Sequence, residues 1–269
     1  MIDARKEPTT LQEAILYFSD AGRCREYLVA RRWPDGVTCP RCESSNVKFQ
    51  PQHNRWQCAS HHDLRQFTLK TGTIFEDSPI GLDKWLAAMW QIVNCKNGIS
   101  SYEIHRALGV TQKTAWFMDH RIRLALSVGG KVLATVVPNR KKAALQAEVR
   151  KHVEAGAALC TDAVLSYEGL DSDYAHQVVD HAVQYVDGKV HANGLENFWS
   201  LLRRGISGTY VSVEPFHLFR YLDEQTFRYN HREGLNDGQR FDIAVRQVVG
   251  KRLTFSQLTG KTNSGAWPN

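Results

Sequence analysis

The stretch that decides how this chain is organised is CPRCESSNVKFQPQHNRWQCASHH, residues 39–62. Cys39 and Cys42 are two residues apart in between, the gap that lets one tight turn aim two thiolates at one ion. Cys58, with His61 or His62, supplies a second pair after a loop the size of a β-hairpin. A segment this short cannot bury a core of its own, so a structural Zn²⁺ is expected to hold it together. Its ligands are Cys39, Cys42, Cys58 and one of His61 and His62; either histidine can reach the ion, and the loop-like HHD does not choose between them. A thiolate-rich tetrahedral set selects zinc, and four protein ligands leave no open position for catalysis. Residues 35–75 therefore read as a zinc ribbon.

On the N-terminal side, Leu11, Ala14, Ile15, Phe18, Cys24, Leu28 and Val29 fall close to helical spacing, with a break near Asp20 to Gly22. Two short helices are predicted over residues 1–34, stopped by the turn residues Trp33-Pro34-Asp35-Gly36. On the C-terminal side the helical period returns from Ser78 to Leu126, with Trp85, Leu86, Met89, Trp90 and Val93 on one stripe and Ile104, Leu108, Trp116 and Ile122 beyond it. Trp90 and Trp116 read as core residues. Gly109 sits where a turn between two helices needs a positive φ, and Thr111 can cap the second helix. A helix-turn-helix over residues 76–128 is predicted. Its second helix presents Gln112, Lys113, Thr114, His120, Arg121 and Arg123 outward, residue types that reach base edges or phosphates.

Beyond Gly129 the pattern changes to KVLATVVP (residues 131–138), alternating and β-branched, then to the amphipathic KKAALQAEVRKHVEAG (141–156), then to the apolar AALCTDAVLSYEGL (157–170). Strand, helix and strand imply an α/β sheet, with Asp162 at the end of an apolar strand. HANGLENFWSLLRRG (191–205) puts His191, Asn193 and Glu196 at the start of an amphipathic helix. Asn193 and Glu196 share a face, and Arg203 lies two turns beyond. The helical reading runs from Leu195 to Phe227 with an interruption around Gly205 to Pro215, and residues 236–269 read as a C-terminal tail, loose at TGKTNSGAWPN.

The bulk numbers agree with several small cores on a polyanion-binding chain: 269 residues, 42% hydrophobic, with a formal net charge of +6. No apolar run approaches the roughly 18 residues needed to cross a bilayer, and MIDARKEPTT has no apolar core of a signal peptide. No membrane association and a cytosolic, nucleoid-associated place in a bacterium are expected, where clustered cysteines mean metal before disulfides.

Five stretches together resemble one family: CPRC, QFTLKTGTIFEDSPIGLDKWLAAMW, GISSYEIHRALGVTQKTAWFMDHRIRLAL, CTDAVLSYEGL, and HANGLENFWSLLRRGISGTYVSVEPFHLFRYLDEQTFRYNHR. They are similar to insertion-sequence transposases of the DDE type with an N-terminal zinc ribbon and helix-turn-helix, the ISXO-like family, and they span the chain from Cys39 to Arg232. The resemblance implies a multidomain α+β protein with an RNase H-like α/β domain over residues 129–235. It also implies phosphoryl transfer by two Mg²⁺ or Mn²⁺ ions, double-stranded DNA with terminal inverted repeats as partner, and a homo-oligomer on paired DNA ends. Asp162 corresponds to the family's second Asp, Glu196 with Asn193 to its third acidic position, and Arg203 to a basic residue that contacts a phosphate.

One part of the family pattern is missing. Members carry a V-D-E-T-x-x-G-G-K-like motif after the recognition helix, with its Asp on the first strand of the sheet. Here LALSV runs straight into GGKVLATVVP, and between Asp119 and Asp162 the acidic residues are Glu148 and Glu154, both in the amphipathic segment. An internal deletion that removed the first catalytic Asp and its strands is inferred, leaving a catalytically impaired transposase or a DNA-binding remnant that recognises element ends. A zinc-ribbon transcription factor is a third reading, and it leaves Asp162 and Glu196 unexplained.

Overall fold

The computed structural model describes residues 6–127, 130–179 and 193–260. It divides into two compact units, residues 1–134 with 204–269, and residues 135–203. The first opens with α1 (Leu11–Phe18) and α2 (Ala21–Arg32). A reciprocal capping box starts α1, the Thr10 hydroxyl accepting from the Glu13 N–H while the Glu13 carboxylate accepts from the Thr10 N–H. The break near Asp20 is the start of α2, where the Asp20 carboxylate accepts from the Arg23 N–H at 2.8 Å. The ribbon follows as an antiparallel sheet of β1 (Val47–Gln50), β2 (Arg55–Cys58) and β3 (Gln66–Phe67), in that order. Trp56 stacks on Phe67 with ring centroids 5.8 Å apart and meets Trp33 edge-on at 5.7 Å. The ribbon is tied to α2 by the Arg32 guanidinium, which donates to the carbonyls of Leu69 and Thr71 at 2.6 Å each.

The body of this unit is built around α3 (Leu82–Asn94), whose Trp85, Leu86, Met89 and Trp90 are at most 1% exposed. Each such side chain contributes roughly 1.5–3 kcal/mol by leaving water. Next come α4 (Ser101–Leu108) and α5 (Gln112–Ala125), joined by Gly109 at φ 59°, ψ 41°. The Thr111 hydroxyl caps α5 by accepting from the Thr114 N–H at 3.1 Å.

The second unit contains α6 (Lys142–His152), β4 (Ala158–Asp162), β5 (Ala175–Val179) and α7 (Asn193–Arg204), the last residue of which belongs to the first unit. β4 and β5 pair in parallel from Ala158 opposite Ala175 to Asp162 opposite Val179, and among the described residues they are a two-stranded sheet. The helix and second strand of the expected strand-helix-strand unit are thus present, whereas KVLATVVP forms no strand. A β-branched run needs a neighbouring strand to satisfy its backbone. Val132 has instead the side chain of Asn230, which accepts from its N–H at 2.8 Å and donates to its carbonyl at 2.9 Å.

A π-helical turn at Gly205–Tyr210 interrupts the helical run where the sequence places a break, and α8 (Leu218–Asn230), α9 (Asp237–Arg246) and α10 (Phe255–Leu258) complete the first unit. Residues 204–235, read with the catalytic domain, therefore belong to the first unit. Part of the expected C-terminal tail is also core: Phe241 of α9 is fully buried against Trp90, centroids 4.9 Å apart. The signal was Phe241, Ala244, Val245 and Val248, an apolar stripe at helical spacing behind the Asn236 cap. Residues 261–269 lie outside the described residues. No helix among the described residues is long and apolar enough to cross a membrane.

Candidate functional site

The turn at Cys39–Cys42 is closed by the Glu43 N–H donating to the Cys39 carbonyl at 2.8 Å, with Glu43 at φ 59°. Cys58 ends β2 and faces that turn, and the loop after it brings in His62. The ligand atoms of Cys39, Cys42, Cys58 and His62 all lie within 4.8 Å of one another, with Cys39 Sγ 3.5 Å from His62 Nε2 and Cys42 Sγ 3.6 Å from Cys58 Sγ. Zinc–sulfur bonds of about 2.3 Å around a tetrahedron put sulfurs roughly 3.8 Å apart, so these residues fit the ion. The Nδ1–H of His62 donates to the Asp63 carbonyl at 2.7 Å, which leaves the Nε2 lone pair facing the thiols. Against burial, which works the other way, hydrogen bonds from His62 and Ser60 draw the Cys58 thiol down to about 6, a ready thiolate. His62 is thus the fourth member of the group, and His61 is an exposed neighbour. Zinc bound here supplies no chemistry; it closes a fold.

The helix pair α4–α5 presents a different surface from the one its sequence suggests. Lys113 is exposed, and Gln112 and Thr114 are partly exposed at the start of α5. His120, Arg121 and Arg123, expected to point outward, are at most 4% exposed. Arg121 donates to the carbonyls of Leu253, Ile74 and Glu76 and so ties three segments together. Arg123 pairs with the Glu224 carboxylate of α8 at 2.5 Å, and Glu224 also pairs with Arg228 and accepts from the Tyr210 hydroxyl. Although burial works the other way, Arg228 and Arg123 hold Glu224 below the usual carboxylate range, ionised. His120 is enclosed by the rings of Trp116, His217 and Tyr221, and burial keeps it neutral. Those positions read as basic and outward because periodicity over one helix cannot show that α8 and the segments at Ile74, Glu76 and Leu253 enclose them.

Asp162 ends β4 and Glu196 lies in the first turn of α7, both exposed, and Arg203 is exposed near the end of α7. Asn193 starts that helix; His191 lies outside the described residues. A cavity of about 400 Å³ at the end of β4 and β5 is lined by Asp162 with Tyr167, Glu168, Asp171, His176 and Val178. Among the described residues, the zinc-type group is the one set of three or more such ligands gathered around a point. Asp162 and Glu196 belong to no such set among the described residues.

A three-stranded ribbon closed by Cys₃His, set on a helical body, defines a zinc-ribbon protein. Residues 19–62 match the transposase zinc-ribbon domain, and residues 102–230 match the ISXO2-like transposase domain. The chain is also similar to an uncharacterized protein in the transposable element ISH50 of Halobacterium salinarum, 24% identical over 250 residues, taking in 71% of this chain and 84% of the relative. No solved structure matches. The two domain matches and the relative from a transposable element support an ISXO2-like transposase, and the Cys₃His group of the ribbon fits a structural zinc.

Proposed function

We propose that this transposase-family protein binds the ends of its element as double-stranded DNA through the ribbon and the α4–α5 pair, acting as a helix-turn-helix, and that it no longer performs strand transfer. The observation that carries the second half is that, among the described residues, neither Asp162 nor Glu196 falls in a group of three or more ligand-type side chains gathered around one point. Two-metal phosphoryl transfer needs carboxylates that hold both ions against the attacking and leaving oxygens. An internal deletion of the family's first Asp and its strands accounts for that gap and for KVLATVVP having no strand to pair with. In this reading Gln112, Lys113 and Thr114 contact DNA, while His120, Arg121 and Arg123 support the helix from behind. Asp162, Asn193, Glu196 and Arg203 keep the positions of an RNase H-like site whose Mg²⁺ or Mn²⁺ requirement is no longer met. Assembly as an oligomer on paired ends goes with the same family reading.

A second reading has one observation in its favour: Glu168 and Asp171 line the cavity that Asp162 enters, so either could replace the lost carboxylate. The deciding experiment is Mg²⁺- or Mn²⁺-dependent nicking of a labelled duplex carrying the element's terminal repeat, with Asp162→Ala and Glu196→Ala as controls. Binding without nicking is expected. Nicking that disappears in both variants would establish a complete site and remove the claim of lost catalysis.

A further inference from the structure

The two faces of the ribbon sheet carry different chemistry. Alternation along the strands puts Val47, Phe49, Trp56, Cys58 and Phe67 on one face, where they join the core of the first unit. The other face carries Lys48 and Gln50 of β1, Arg55 and Gln57 of β2 and Gln66 of β3, each exposed or partly exposed. The register sets Lys48 opposite Gln57 and Gln57 opposite Gln66, a row across all three strands, and it sets Gln50 opposite Arg55. None of the five is acidic, in a chain with 28 acidic residues. Two are cations, and three are amides that both donate and accept hydrogen bonds. This face does little to stabilise the sheet. It holds no β-branched or aromatic residue and no pair of opposite charges, the cross-strand neighbours that strengthen small sheets. Its five side chains make one hydrogen bond among themselves, from Arg55 Nε to Gln50 Oε1 at 2.9 Å, which holds the guanidinium toward β1. The cations therefore lie on the β1 side of the face and the amides of Gln57 and Gln66 on the β2 and β3 side.

We infer that this face of the ribbon reads the major groove of the bound duplex, with Gln57 and Gln66 on adenine edges and Lys48 and Arg55 on phosphates at the groove's rim. The inference rests on the proposed DNA binding and deepens it, assigning the ribbon's part to one surface and one groove. Three strands about 4.8 Å apart span roughly 10 Å, and the major groove is about 12 Å wide, so the sheet enters it face down. The minor groove, about 6 Å wide, does not admit it. Within the major groove a glutamine amide matches adenine, its oxygen accepting from N6–H while its nitrogen donates to N7. Arg55 gives its Nε to Gln50 and keeps its two terminal nitrogens for a phosphate. Lys48, on an edge strand, adds a point charge on the same side. A face with cations and no carboxylate complements a polyanion, and its amides supply what charge alone does not, a choice among bases.

The test uses the full chain with zinc bound and two labelled duplexes carrying the element's terminal repeat, one ordinary and one with 7-deazaadenine in place of adenine, which lacks the major-groove N7 acceptor. The parent is expected to bind the second about tenfold more weakly. The double variant Gln57→Ala with Gln66→Ala should keep the parent's zinc content and lose most of that difference. Lys48→Ala should weaken binding to the repeat and to a scrambled duplex by the same factor, and lower the salt dependence by about one counterion. Equal affinity of the parent for the two duplexes, a tenfold difference that survives in the double variant, or an unchanged salt dependence in Lys48→Ala would overturn the assignment of this face while leaving DNA binding through α4 and α5 in place. Failure of the parent to bind either duplex would remove the DNA-binding reading and the ribbon face with it.

Discussion

The buried charges of the first unit divide into a satisfied set and an unsatisfied one, and mutation should separate them. Glu224 has Arg123, Arg228 and the Tyr210 hydroxyl around it. Replacing Glu224 by Leu leaves two guanidiniums buried without a counter-charge, and a loss of roughly 3–5 kcal/mol in chemical denaturation is expected. Asp119 should behave in the opposite way. Its folded-state pKa is raised above the unfolded value, so its contribution is most favourable below about pH 4 and declines as pH rises toward 8. Asp119→Leu should therefore melt at a higher temperature than the parent, by roughly 2–5 kcal/mol equivalent at pH 8 and by less at pH 4. A difference that is the same at both pH values would mean that packing, and not the carboxyl, sets the change. At the metal, zinc analysis of purified protein should find about one ion per chain in His61→Ala and much less in His62→Ala, since His62 alone of the two has its Nε2 among the thiols.

At the scale of elements, the ribbon is expected to depend on its ion and the helices are not. Strands of four, four and two residues form too small a sheet to stand alone, and what they bury is the Trp56, Phe67 and Trp33 cluster. Removing zinc with a strong chelator should abolish amide protection over residues 39–67 while α3 keeps its own. Simultaneous loss across α3 would show that the metal holds the whole unit. The turn between α4 and α5 makes a smaller demand. Gly109 at φ 59° has open space around it, so Gly109→Ala meets no clash and pays only for the left-handed backbone, about 1 kcal/mol, read as a lowered melting temperature.

At the scale of the whole molecule, the two units differ in what they bury. The first has a continuous core from Phe18 through Trp90 to Phe241, whereas β4 is at best half-buried along its length and Leu165, Val178 and Trp199 are exposed in the second. Among the described residues the sheet has two strands, and a two-stranded sheet is marginal by itself. Hydrogen exchange over residues 158–179 is expected to be orders of magnitude faster than over α3. Equal protection in the two would mean that something further completes the second unit.

Local chemistry was legible wherever a short stretch carried its own reason. The CPRC turn with Cys58 announced a metal, Thr111 announced a helix start, Asp20 to Gly22 a break between helices, Gly109 a left-handed turn, and the stripe from Trp85 to Val93 the central helix. Ligand type, caps and periodicity act over a few residues, so they are written in neighbouring letters. Four matters depended on residues far apart in the chain. His62 rather than His61 completes the zinc group because the loop after β2 directs one imidazole and not the other. His120 and Arg123 are internal because α8, a hundred residues on, covers that side of α5, and Arg121 because the segments at Ile74, Glu76 and Leu253 enclose it. KVLATVVP is no strand because a β-branched run becomes one only beside a partner, and none of the described strands lies next to it. Asp119 is buried only because segments far along the chain pack on α5, and that burial is what pushes its carboxyl toward the neutral form.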